Sequence, residues 1–150
     1  MFAPKKILVP TDFSVYADNA LKQAIDIAKQ NKAKIYLLHV IDDSFQQCAV
    51  DYCLNEGTVQ SILKDSIKNA KDKLQQEVKK VTDSNSSVEI IYDARRGIPY
   101  EEILKDQEEK GIDLIVIASH GKTGILKNLL GGVVDKVVKR AKCQVLLVRS

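Results

Sequence analysis

Apolar residues fall into two rhythms along this chain. Short apolar runs close at 5–10, 33–40, 88–92, 114–118 and 144–148. Leu114-Ile-Val-Ile-Ala118 shows the pattern best: it is short, β-branched and without polar alternation. Such a run suits a strand buried on both faces of a parallel sheet. Between the runs the spacing becomes helical. Ala17, Ala20, Leu21, Ala24, Ile25 and Ala28 share one stripe. Val59, Leu63, Ile67, Ala70, Leu74, Val78 and Val81 form a longer one, and Tyr100, Ile103 and Leu104 a shorter one. Val133, Val134, Val137, Val138 and Ala141 make the last, in a helix expected to reach about Lys142.

The punctuation agrees with these elements. Thr11-Asp-Phe-Ser14 reads as a turn with good N-cap residues. The first helix is expected to stop near Asn31, which tolerates the left-handed cap conformation. Arg95-Arg-Gly-Ile-Pro99 reads as a connection that follows the third strand, with proline poised at a helix start and Gly111 at that helix's end. Stretch 83–87 reads as a loop. Stretch 42–57 has no period and is long for an α/β connection, so it is expected to be a lid or a partner surface.

Strands alternating with helices imply right-handed crossovers and a parallel sheet covered on both faces. The fold class is therefore α/β: one domain over 1–150, an open five-stranded parallel sheet of Rossmann-like or flavodoxin-like kind.

Composition narrows the function classes. Charged residues are 29% and hydrophobic residues 45%, ordinary values for a soluble globular protein. A net charge of +3 makes no case for nucleic acid. The lysines of 64–80 are interspersed with Asp65, Asp72 and Glu77 and read as a solvated helix face. No apolar stretch is long enough to span a bilayer, and no signal-peptide pattern opens the chain, so no membrane partner is expected. Cys48, Cys53 and Cys143 form no CxxC pair, which suits a reducing cytoplasm.

In open parallel sheets the ligand crevice lies beyond the carboxyl ends of the strands, where chain order reverses. Polar groups follow four strand ends: Thr11, Asp12 and Ser14; the residues from His39 to Asp43; Arg95 and Arg96; and the loop 119–124. Beyond that loop, Gly131 and Gly132 lead into Val133 at a helix start, where unpaired N–H groups favour an anion. Familiar phosphate fingerprints fail. Gly121-Lys122-Thr123 resembles the end of a Walker loop, but its first glycine position is Val116, inside a strand. No GxGxxG follows the first strand, and no GxSxG elbow exists. Two histidines and scattered carboxylates give no closed metal site. No general base beside an activated nucleophile stands out, so any hydrolysis is expected to be slow.

Val9-Pro-Thr-Asp-Phe-Ser14, Leu38-His-Val-Ile41, Gly97-Ile-Pro99, Asp113-Leu-Ile-Val-Ile-Ala-Ser-His-Gly121, Leu130-Gly-Gly-Val133 and Val145-Leu-Leu-Val148 form an ordered set. That set resembles the universal stress protein family over the whole chain. The resemblance implies strand order 3-2-1-4-5, with the first and fourth strands adjacent. It further implies ATP or a related adenine nucleotide in a crevice between them. Pro10, Thr11, Asp12 and Val40 would border the adenine, with Asp12 accepting a hydrogen bond from base or ribose. Ser119, His120, Gly121 and Lys122 would lie beside ribose and phosphates, and Mg²⁺ or Mn²⁺ would arrive with the phosphates. The family's ATP-binding branch carries Gly, two residues, Gly, nine residues, then Gly followed by Ser or Thr. Gly121 and Gly131 keep the spacing, but Ala118 stands at the first glycine and Gly132 at the final hydroxyl position. Those departures favour the alternative, a nucleotide-free dimeric stress-response scaffold. A nucleotide-activating enzyme would need a pyrophosphate loop after the first strand, which 10–14 does not resemble. The resemblance also puts Gln144–Val148 at a sheet edge, an invitation to pair with a second chain.

Overall fold

The computed structural model describes residues 1–42, 55–82, 87–120 and 132–149. In chain order they form β1 (Lys6–Pro10), α1 (Val15–Asn31), β2 (Lys34–Asp42), α2 (Glu56–Thr82), β3 (Ile90–Gly97), α3 (Pro99–Lys110), β4 (Leu114–Ala118), α4 (Val133–Arg140) and β5 (Gln144–Val148). The strands make one five-stranded sheet in the order β3-β2-β1-β4-β5. All four pairings are parallel.

Strand alternation divides the core in two. Ile7, Val9, Ile35, Leu37, Leu114, Val116 and Ala118 point to the face covered by α1 and α2, where they meet Leu21, Ala24, Ile25, Ala70 and Leu74. Leu8, Leu38, Ile115 and Ile117 point to the other face and meet Ile103 of α3 and Val137 of α4. Right-handed crossovers dictate this split. The chain moves one way across the sheet from β1 to β3 and the other way from β3 to β5, so the helix pairs land on opposite faces. Ile7, Leu8, Val9, Ile115 and Val116 are fully buried. Each such side chain contributes about 1.5–3 kcal/mol relative to exposure.

The β1–β4 ladder pairs Ile7 with Leu114 and Leu8 with Ile115. Among the described residues the ladder stops there, before either strand does. Chain order reverses at this junction, so it is the topological switch point of the sheet.

Two boundaries and one cap residue differ from the sequence-based expectation; α1 itself stops at Asn31 as expected. β3 runs to Gly97 rather than ending at Tyr92, because Asp93 to Gly97 pair in register with Leu38 to Asp42. Arg95 and Arg96 therefore lie inside the strand and not in a connection after it. The left-handed residue closing α1 is Lys32, with φ 55°, while the Asn31 side chain donates instead to the Ile27 carbonyl at 2.9 Å. The last helix ends at Arg140, with Ala141 already extended, rather than near Lys142. Gly111 does close α3 in the left-handed region, at φ 63°. Gly97 is demanded by its geometry: φ is 150°, and an added Cβ would come within 2.7 Å of the Glu102 side chain. The expected lid at 42–57 and loop at 83–87 fall mostly outside the described residues.

Candidate functional site

The β1–α1 turn is built by short polar side chains. The Thr11 N–H donates to the Leu38 carbonyl at 2.8 Å, tying the exit of β1 to β2. Thr11 Oγ1 accepts from the Phe13 N–H at 3.1 Å, and Asp12 Oδ1 accepts from the Ser14 N–H at 3.0 Å. Ser14 is the N-cap of α1, its Oγ accepting from the Ala17 N–H at 3.2 Å. Between them Phe13 sits in the left-handed region, φ 64°. His39 Nδ1 lies 2.8 Å from the Thr11 carbonyl, which can only accept, so Nδ1 carries the proton of that bond. The His39 ring packs on Phe13 with centroids 4.5 Å apart. Lys73 Nζ of α2 lies 5.4 Å from the centre of the Phe13 ring.

Across the switch point, β4 delivers Ser119 and His120. The Ser119 N–H donates to the Val148 carbonyl at 2.9 Å, extending the β4–β5 ladder. Ser119 Oγ lies 2.9 Å from His120 Nδ1. The His120 ring in turn faces Tyr16 of α1, centroids 5.3 Å apart. The first turn of α1 and the exit of β4 thus meet directly.

At the start of α4, Gly132 is the N-cap in extended backbone and supplies no side-chain cap. A Cβ there would meet no described residue within 4 Å. The first-turn N–H groups lack that partner and keep partial positive charge toward an anion. Ala118 is different in kind. Its methyl belongs to the buried core beneath α1, in the same alternation as Leu114 and Val116.

The structure therefore gathers Pro10, Thr11, Asp12 and Ser14 on one side of the switch point and Ala118, Ser119 and His120 on the other. Val40 is half-buried against the core on the α3 side of the sheet. Gly121, Lys122 and Gly131 lie outside the described residues. Arg95 does not serve the crevice rim: its guanidinium pairs with Glu102, Asp106 and Glu109 of α3. Arg96 lies on the α2 side of β3, two strands from β1. Sequence reasoning missed Phe13 and Tyr16 as members of this site. The aromatic positions were visible, but the left-handed turn and the ring contact are tertiary facts. Among the described residues no group of three or more His, Cys, Asp or Glu side chains could hold a metal ion.

A parallel α/β sheet with a polar turn and a β-strand exit meeting at its switch point defines a class of proteins that take ligands at the carboxyl edge. Within that class the universal stress protein family model matches residues 4–149, and the chain belongs to that family. Universal stress protein MJ0577 of Methanocaldococcus jannaschii is 37% identical over 155 residues, covering 97% of this chain and 94% of that protein. A solved structure of MJ0577 matches with a TM-score of 0.82 at 34% identity, covering 99% of this chain and 98% of that one. Universal stress protein UspA from Lactobacillus plantarum matches with a TM-score of 0.77 at 27% identity, covering 97% of each chain. A universal stress protein in complex with cAMP shares the fold, with a TM-score of 0.64 at 22% identity, covering 99% of this chain and 98% of that one.

Proposed function

We propose that this protein is a regulatory binder of ATP or a related adenine nucleotide, held as a single domain at the carboxyl ends of β1 and β4. The observation that carries the reading is the meeting of Tyr16 and His120 across the switch point, which sets the Asp12 turn opposite the exit of β4. Pro10, Thr11 and Val40 border the base, and Asp12 accepts from base or ribose. Ser14 holds the turn. Ser119, His120, Gly121 and Lys122 flank ribose and phosphates, and the amides from Gly131 to Val133 receive the phosphate tail. The cAMP complex shows that a protein of this fold accommodates an adenine nucleotide. Mg²⁺ or Mn²⁺ would neutralise phosphate charge, entering with the nucleotide because Asp12 is the one carboxylate of this set. Hydrolysis, if it occurs, is slow, and the working output is a nucleotide-dependent surface for a partner in the cytoplasm.

Isothermal titration of ligand-freed protein with ATP and Mg²⁺ tests the reading, with mass spectrometry of small molecules released from the purified protein beside it. Saturable heat, lost in Asp12→Ala, is expected. Silence at millimolar nucleotide, with nothing released on denaturation, would leave the second reading: a nucleotide-free dimeric scaffold. Gly132, which brings no hydroxyl to the helix start, favours that second reading. β5 sits at the sheet edge with Val145, Leu146 and Leu147 half-buried. A homodimer through β5 belongs to both readings.

A further inference from the structure

Arg95 and Arg96 leave β3 on opposite faces and meet opposite fates. Arg95 points toward α3, where three carboxylates neutralise it: Glu102 at 3.0 Å, Asp106 at 3.0 Å and Glu109 at 3.3 Å. Arg96 points toward α2. There it lines an open groove of about 490 Å³ with Gln60, Ser61, Leu63, Lys64 and Ile67. Among the described residues neither Arg96 nor Lys64 forms an ion pair, although seven such pairs occur elsewhere. A half-buried guanidinium and an exposed ammonium thus share an apolar floor of Leu63 and Ile67, with no acid among the described residues to balance them.

We propose that this groove docks an acidic segment of a partner protein, one with an apolar residue between its carboxylates. The groove follows α2 from Gln60 to Ile67, about two helical turns or roughly 10 Å. That length accommodates about three residues of an extended peptide. The chemistry matches residue by residue: carboxylates pair with Arg96 and Lys64, and the apolar side chain rests on Leu63 and Ile67. Arginine beside an apolar floor is the composition that carries binding energy at protein interfaces. The groove lies on β3, at the far edge of the sheet from β5. A partner docked there leaves the β5 edge open, and neither the groove nor its occupant depends on nucleotide at the switch point.

The test is a titration of the ¹⁵N-labelled full chain with the peptide acetyl-Glu-Leu-Glu-amide, followed by amide shifts. Acetyl-Lys-Leu-Lys-amide and inorganic phosphate serve as controls. Saturable shifts confined to α2 around 60–67 and the end of β3 are expected with the acidic peptide alone. Arg96→Gln should weaken binding by about tenfold or more, since hydrogen bonds between charged groups are at stake. The double variant Lys64→Glu with Arg96→Glu should exchange preference and take the lysine peptide. Equal response to phosphate or to both peptides would show general electrostatics and overturn the proposal. So would unaltered affinity in Arg96→Gln. A groove that ignores every probe, yet changes its shifts on Asp51→Asn, would be filled by the chain's own 43–54 segment. A groove that shifts with protein concentration would be filled by a second copy. Either outcome also overturns it.

Discussion

Phe13 holds a backbone conformation that costs an ordinary L-residue roughly 1–2 kcal/mol. Its ring offsets that cost by packing on His39 and against the α1-side core. Replacing it separates the two effects. Phe13→Ala loses the ring and keeps the strain, whereas Phe13→Gly loses the ring and releases the strain. Phe13→Gly is therefore expected to be more stable than Phe13→Ala by about 1 kcal/mol, the reverse of the usual order. Urea denaturation of both decides it, and an alanine variant at least as stable as the glycine one would remove strain from the account. The two departures from the glycine motif separate in the same way. Gly132 has extended backbone and open space among the described residues, so Gly132→Ser places a hydroxyl at the helix start without a clash against them. On the proposed function, calorimetry should show ATP affinity raised by up to about tenfold, the worth of one neutral hydrogen bond. Ala118→Gly should bring no gain, because that methyl fills core rather than crevice. It should cost about 0.5–1 kcal/mol of stability instead.

At the scale of elements, the ion network between β3 and α3 explains why the third strand was hard to bound from the sequence. Two consecutive arginines look like the end of a buried strand. Arg95 stays in the strand because Asp106, 1% exposed, needs a cation, and Lys110 completes the pair at 2.9 Å. Nothing in the spacing of Glu102, Asp106 and Glu109 says which strand they meet. Arg95→Ala should cost about 3 kcal/mol or more by leaving that buried carboxylate short of a partner. Arg96→Ala should stay within about 0.5 kcal/mol, since Arg96 forms no ion pair among the described residues. Denaturant midpoints of the two variants make the comparison. A second contact, between α1 and α2, is sensitive to pH. Burial raises the pKa of Glu77 above its ordinary value, and the neighbouring Asp18 charge raises it further against the opposing pull of Lys80. The folded state then holds this proton more tightly than the unfolded chain. That stabilisation is full below the ordinary carboxylate pKa and is lost as pH rises through the raised one. Glu77→Gln is expected to be more stable than the parent at pH 7. The difference should vanish below about pH 4, where both side chains are neutral. A gap that persists in acid would assign the effect to packing.

Across the whole molecule, what the sequence disclosed was what short-range periodicity encodes. The five apolar runs each seed a strand, the helical stripes predict every helix among the described residues, and the family resemblance supplies the order 3-2-1-4-5 that the sheet adopts. The site was legible as far as polar residues at strand ends, and illegible where it depends on φ at Phe13 or on rings meeting across the sheet. Assembly is the level at which the chain's edges matter. The Val148 carbonyl accepts from Ser119, so the main-chain groups of Val148 and of alternate residues before it face β4. By the alternation of a strand, those of Val145 and Leu147 face outward, toward whatever pairs with the edge. Leu147→Pro therefore removes an outward amide while sparing the ladder to β4, a substitution that edge strands tolerate. If β5 joins two copies, light scattering after size exclusion should show the parent as a dimer and this variant as a monomer, with its circular dichroism unchanged. A variant that stays dimeric would move the interface elsewhere, and a parent that is already a monomer would mean the β5 edge stands unpaired.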